Sequence, residues 1–370
     1  MLSSISLTSF RGIDTLVLPL GKRTYIMWEN GSGKTHILDA IHLLSWSHPL
    51  YGNTSLEVGT QFEGIFIDSG LDKSYRMVRD ASREFFVIQG AKTTKPKYLQ
   101  ALPWRTVLIS PFDMNLLYFA PSMRRDYIDL ILTRTHEQFS KVRRDYELTM
   151  KQRNVLLKKI RDGESKREDL DFWDKKFAEY ADIYGFYRTR YRDYIRASLS
   201  RFPSFFQKYS PIFHYESTWI DEADRRIFIE TYLRENRERD IITWHTHIGP
   251  HRDDWGFRIT PNVSKWIPWD TIWTIQLEAV PNIPVESYLS RGEMKILLLG
   301  LKIIETEYIS TTLDLPVILL IDDIFAELDE MNSKIFLNSL IQYQIILTSQ
   351  KPIPDHEKYN DFICINLSNA

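Results

Sequence analysis

The chain has 370 residues, 43% of them hydrophobic, with a formal net charge of −2. That length and apolar content fit one large domain with an insertion, or two packed units, and they exclude wholesale disorder. The near-neutral charge excludes a global basic footprint for nucleic acid, and the single cysteine, Cys364, excludes an internal disulfide.

No apolar run approaches the ~20 residues that a membrane helix needs. The N-terminus has no basic stretch ahead of an apolar core, so neither a membrane span nor a signal peptide is expected. A reducing, cytoplasmic setting fits the cysteine usage.

In chain order, Ile5–Leu7 alternates as a strand does, and 15–18 is β-branched and apolar. A short apolar strand over 24–27 feeds a Gly-rich loop, and 34–44 comes next as an amphipathic helix. Further strands are expected over 62–67 and 85–88. From about Pro121 the texture changes, with charges and large apolar residues recurring at helical spacing through Tyr209. Gly163 with Glu164 and Ser165 marks a break between helices. From about Ile242 the α/β texture resumes, and the unbroken apolar runs 315–321 and 345–347 suit buried parallel strands. The expected fold is therefore α/β, with a head built from both ends of the chain, 1–115 and 242–370. A helical domain, 116–241, is inserted between them. The insertion is the more basic part, with 26 Lys and Arg against 22 Asp and Glu.

The chemistry starts at Trp28-Glu29-Asn30-Gly31-Ser32-Gly33-Lys34-Thr35. A Gly-rich turn between a strand and a helix points its N–H groups at a polyphosphate, and the helix adds its positive end. In that P-loop arrangement Lys34 reaches the β- and γ-phosphates and the Thr35 hydroxyl holds Mg²⁺. Trp28 departs from the pattern, which has Gly there. A second element comes after the apolar run: Asp322 and Asp323 lie at the carboxyl end of a buried strand, where open α/β sheets hold ligands. Asp322 suits a Walker-B role on Mg²⁺ and Asp323 the orientation or deprotonation of a water. Taken alone, the pair reads equally as solvated carboxylates. A third element is Leu289-Ser290-Arg291-Gly292-Glu293, ahead of a helical run. Ser290 would cap that helix and Gly292 would allow close approach. An ABC-type signature has this form and acts on the nucleotide of the other subunit. The order of signature, helix and Asp322 favours that reading over a plain cap. A fourth element, Gly249-Pro250-His251-Arg252-Asp253-Asp254, has no generic chemistry. A metal site from His245, His247, His251 and Asp253 lacks regular ligand spacing, and a polar turn with an Arg–Asp pair is the better reading.

These elements resemble the RecF family, bacterial gap-repair ATPases of the ABC/SMC class. The likeness runs end to end. It comprises Phe10-Arg11-Gly12, Asn30 to Thr35 with Asp39-Ala40-Ile41, and Ser110-Pro111 with Asp113. It continues through Pro121 with Arg124-Arg125, Gln152-Arg153-Asn154 and Trp173-Asp174, then Gly249 to Asp254, Ser290 to Lys295 and Asp322 to Asp329. The 249–254 string is the most family-specific of these. The resemblance implies an ABC-type P-loop NTPase head with a helical second domain, and an ATP-dependent homodimer with two ATPs between P-loop and signature. It also implies binding of double-stranded DNA near single-strand gaps, partnership with a RecR-like protein in loading recombinase, and slow, DNA-stimulated ATP hydrolysis. Arg11 is implied near the nucleotide; by residue type alone it reads equally as a surface strand-end arginine. DNA contacts would fall to basic residues on one face, the candidates being Arg124, Arg125, Arg143, Arg144 and Arg153. Besides Trp28, the chain departs at Phe112, at Ser47-His48-Pro49, and in the signature at Arg291, Glu293 and Met294. A second class of function is a nucleotide-gated scaffold that binds ATP and a protein partner with little hydrolysis. A third, an ABC-type ATPase serving a nuclease or toxin partner, is opposed by the 249–254 string and by the short insertion.

Overall fold

The computed structural model describes residues 1–27, 34–48, 56, 58–68, 70–81, 83–201, 211–259, 283–349 and 362–367. The chain divides into two compact units, 1–115 with 290–370, and 116–289.

The first unit has two sheets. The N-terminal strands β1 (Leu2–Phe10) and β2 (Ile13–Pro19) form an antiparallel sheet with β4 (Gln61–Asp68), β5 (Leu71–Arg79), β6 (Glu84–Ile88) and β7 (Ala91–Thr93), in the order β2-β1-β4-β5-β6-β7. The other sheet is parallel, in the order β14-β3-β13-β12-β8. Its members are β3 (Arg23–Met27), β8 (Arg105–Ile109), β12 (Val317–Asp322), β13 (Gln344–Ser349) and β14 (Phe362–Asn366). Every residue from Val317 to Ile321 is buried, as expected of an interior parallel strand. The central strands β3, β13 and β12 come from opposite ends of the chain, so this sheet needs both.

Helix α1 (Lys34–Trp46) comes after β3 and buries Ile37, Leu38, Ile41 and Leu44 in one core with residues of both sheets. Within that core Trp104 stacks on Phe66 at 5.1 Å and meets Tyr75 edge-on at 5.2 Å. A short helix, α2 (Lys95–Ala101), precedes β8. Beside it the Arg105 guanidinium donates to the carbonyls of Leu99, Leu102 and Trp104, while burial lowers its pKa to about 10.

The second unit holds α3 (Pro121–Thr135), α4 (Glu137–Arg161), α5 (Leu170–Leu199), α6 (Arg225–Glu235) and α7 (Arg237–Thr243). Gly163, at φ +80°, takes the left-handed turn that ends α4 ahead of α5. The unit also has a three-stranded antiparallel sheet, β11-β10-β9, from β9 (Ile212–Glu216), β10 (Asp254–Ile259) and β11 (Ile283–Pro284). This sheet moves the second boundary. The α/β texture after Ile242 had placed 242–289 with the head, yet β10 pairs with β9 from Asp254↔Glu216 to Arg258↔Ile212, so its strands complete the middle unit. The first unit resumes only with α8 (Arg291–Leu313), and α9 (Glu330–Ser339) lies between β12 and β13.

Candidate nucleotide-binding site

The parallel register aligns the carboxyl ends of three strands. Asp322 pairs with Thr348 and Ser349 pairs with Met27, so β12, β13 and β3 finish at one edge of the sheet. β3 ends at that edge with Met27, and α1 begins with Lys34 after the Gly-rich segment 28–33. Asn30, Gly31, Ser32 and Gly33 lie outside the described residues, as does Trp28, and the Lys34 side chain is not described.

Thr35, in the first turn of α1, donates its hydroxyl to Asp322 Oδ2 at 2.9 Å, across 287 residues of sequence. Asp322 Oδ1 accepts from the Thr348 hydroxyl at 2.7 Å. The carboxylate is thus fixed from both sides, by a hydroxyl of the helix and one of the neighbouring strand. Hydroxyl and carboxylate oxygens are the hard donors that Mg²⁺ takes, usually with waters and substrate phosphate completing the shell. Thr35 and Asp322 are a chemically fitting pair for it.

Asp323 leaves the strand in the left-handed conformation, φ 47°, with its N–H bonded to Thr348 O at 3.0 Å. A non-glycine residue held there stores strain that such turns tolerate at functional sites. Ser349 Oγ lies 3.4 Å from Asp323 Oδ1. Arg11, at φ 47°, forms a 2.8 Å ion pair with Asp39, which lies one helical turn beyond Thr35 on α1. Burial and the Arg11 charge together push the intervening His36 down, so its ring is held neutral.

Ser290 caps α8. Its hydroxyl accepts from Glu293 N, and Glu293 Oε2 accepts in return from Ser290 N and Oγ at 2.9 and 2.8 Å. Ser290, Arg291 and Gly292 are all exposed. A Cβ built on Gly292 would meet nothing within 4 Å, so no neighbour in the chain requires glycine there.

Sequence reasoning passed over two features of this unit. Thr348, the second support of Asp322, carries no motif. Lys302 and Glu305 lie buried on α8 and pair at 2.6 Å, with Asp113 Oδ1 3.7 Å from the ammonium. Asp113 Oδ2 also accepts from Ser110 N and Oγ, tying α8 to the chain just past β8. The signal was present: Lys302 and Glu305 interrupt the apolar run 296–304 of α8 and its continuation, and charges inside such a run are rarely buried unless paired.

In the second unit the 249–254 string forms a buried polar network. Asp253 accepts from Trp219 Nε1 and the Tyr215 hydroxyl, both at 2.9 Å, and from Arg188 at 3.1 Å. Arg188 in turn holds Asp129 with two nitrogens and the Pro250 carbonyl with a third bond. Burial raises the Asp253 pKa against the pull of Arg188. His251 donates from Nε2 to the Thr246 carbonyl at 2.9 Å, so its Nδ1 accepts from the Tyr146 hydroxyl at 2.6 Å. Burial lowers its pKa to about 4. Gly249, at φ +117°, is pressed by Phe177 and Tyr146, leaving no room for a side chain. No cluster of metal-ligating side chains occurs among the described residues.

This network corrects one expected DNA contact. Arg153 is 0% exposed and donates to Asp174, Asp240 and Thr246, each at 2.8 Å, so no phosphate can reach it. Arg124 is clamped on Asp254, Arg125 donates to the Asp253 carbonyl, and Arg143 bonds Asp126 and Glu147. Arg144 has a largely exposed side chain, at 68%. Among the described residues, no helix is long and apolar enough to cross a membrane.

No family model matches the chain. Curated relatives cover nearly all of it. A DNA replication and repair protein RecF of Shewanella denitrificans is 29% identical over 363 residues, 95% of this chain and 92% of that one. The RecF of Shewanella loihica is 26% identical over 362 residues, with the same coverage. A solved structure of the recombination mediator protein RecF with ATP, in the RecFOR pathway, superposes with a TM-score of 0.77 at 23% identity. It covers 99% of this chain and 95% of that one, so the two chains share their fold.

Proposed function

We propose that this chain, which belongs to the RecF family, is an ATP-dependent DNA-binding repair ATPase that dimerises on ATP at duplex DNA beside single-strand gaps. The observation that carries the reading is the 2.9 Å contact between Thr35 and Asp322 at the carboxyl edge of the parallel sheet. A P-loop helix and a strand-end carboxylate meet there as phosphoryl chemistry requires.

In this reading the loop 30–35 cradles the phosphates and Lys34 neutralises their charge. Thr35 and Asp322 would hold Mg²⁺, which supplies charge neutralisation at the β- and γ-phosphates. Asp323 orients the attacking water and accepts its proton as the γ-phosphoryl group passes to that water and ADP leaves. Arg11 sits beside α1 to steady the nucleotide end of the helix. Ser290, Arg291 and Gly292, at the start of α8, suit a γ-phosphate held by a second copy. ATP then joins the heads, and slow hydrolysis, stimulated by DNA, parts them. A RecR-like protein that helps load recombinase is the expected partner.

The test is a gel shift with gapped duplex at low salt, with and without ATP. An ATP-dependent shift that Lys34→Ala abolishes is the expected result. Dimerisation on ATP that survives Lys34→Ala would overturn the site.

A further inference from the structure

One surface of the second unit has no part in the nucleotide site. Along α4 the seven-residue spacing of Arg144, Lys151 and Lys158 keeps all three on one face, because seven residues fall only about 20° short of two turns. Lys151 and Lys158 are exposed, the Arg144 side chain is 68% exposed, and each step along the row is about 10 Å. The nearby carboxylates are already engaged: Glu147 with Arg143 at 2.9 Å, Asp145 with Arg144 at 3.5 Å, Asp162 with Arg161 at 3.1 Å. Lys151 and Lys159 have no carboxylate partner among the described residues. Of the row itself, Arg144 is offset by Asp145, while Lys151 and Lys158 present positive charge with no ion pair to a carboxylate among the described residues.

The row ends at Trp244. This residue holds φ 55°, a backbone state that a bulky side chain adopts only when its surroundings impose it. Its indole nevertheless stays 44% exposed. The Lys158 ammonium lies 5.7 Å and the Arg161 guanidinium 5.3 Å from the ring centroid, and the His245 ring stacks on it at 5.3 Å. An aromatic held half in water among cations, at the end of a cationic row, has the makeup of a stacking platform beside a phosphate track.

We infer that α4 and Trp244 form the contact for a duplex where it gives way to single strand. The α4 cations lie on backbone phosphates and the indole stacks on an unpaired base. The inference rests on the DNA reading above and adds a surface to it. Leu148 and Val155, exposed between the cations, would also suit an acidic protein helix. Charge without carboxylate partners, joined to a strained and half-exposed indole, favours nucleic acid.

Fluorescence anisotropy on the full chain with ATP and Mg²⁺ present decides it, with labelled gapped duplex and labelled blunt duplex as probes across a salt series. Lys151→Ala with Lys158→Ala should lower the slope of log affinity against log salt by about 2, since each phosphate contact accounts for about 0.9. Trp244→Ala should weaken the gapped probe about 10-fold and leave the blunt probe unchanged, and Trp244→Phe should restore binding. Circular dichroism melts of these surface variants should match the parent. Parental DNA affinity and salt slope in both variants would overturn the inference alone, and would be the result if the row serves an acidic protein. Failure of the parent chain to bind either probe at low salt would overturn the DNA reading and this surface with it.

Discussion

The two units use polar residues in opposite ways. In the first, they gather at the open edge of a sheet: Thr35, Asp322, Thr348, Asp323 and Ser349 are linked there by hydrogen bonds or lie close to one another. In the second, Arg153, Arg188, Asp129, Asp240 and Asp253 are almost wholly enclosed and bonded to other protein groups. One arrangement leaves oxygens for a ligand. The other turns its donors and acceptors on the protein itself. The string read from the sequence as the most family-like, 249–254, belongs to the second kind, so a motif's resemblance to a family is no guide to whether it meets a ligand.

Substitutions can break or sharpen this contrast. The largest effect should come from Arg188→Met or Asp253→Ala, each of which strands an enclosed charge and should destabilise by about 3–5 kcal/mol. Urea unfolding would read this, and a variant within about 1 kcal/mol of the parent would show that the network is not what holds the unit. Next comes pH. His251 is held neutral with its pKa lowered to about 4, against about 6.5 when unfolded. Between those values the unfolded chain binds the extra proton, so stability is full above about pH 6.5 and declines as pH falls toward 4, by up to ~3 kcal/mol. His251→Gln should flatten that slope, measured as unfolding free energy across the window.

At the sheet edge the expectation reverses. Lys34→Ala should lower ATP affinity by about 100-fold, or about 2.8 kcal/mol of binding, with the melting temperature little changed. A parallel loss of fold would place Lys34 with the enclosed residues. The smallest effect should be that of Ser290→Ala, a lost cap of about 1 kcal/mol. The monomer should still bind ATP, while dimerisation, tracked by light scattering, should fail. Loss of nucleotide affinity in the monomer would show Ser290 acting within its own chain.

The same contrast explains how much the sequence reveals. The P-loop, Asp322-Asp323 and Ser290 are short contiguous strings whose chemistry is carried by neighbours, so they stand out unaided. Strand β12 stood out because it is buried on both faces and therefore unbroken in apolar residues. Strand β5, LDKSYRMVR, did not, since its half-exposed faces dilute the alternation. Arg153 looked like any surface helix arginine because its partners, Asp174, Asp240 and Thr246, are 21 to 93 residues away. The boundary at 242 misled for a related reason. β10 reads as a strand, but nothing local says that its neighbour is β9 of the middle unit.

The order of strands in the parallel sheet also bears on how the protein is made. β3 emerges from the ribosome early, yet its neighbours on both sides, β13 and β14, lie far downstream at 344–349 and 362–366. At the usual rate of about 5–20 residues per second, β3 waits some tens of seconds for them. The middle unit, contiguous from 116 to 289, emerges whole before them and can fold while the N-terminal half of the head still has open strand edges. The parallel sheet of the head can therefore be completed only after both late strands have emerged.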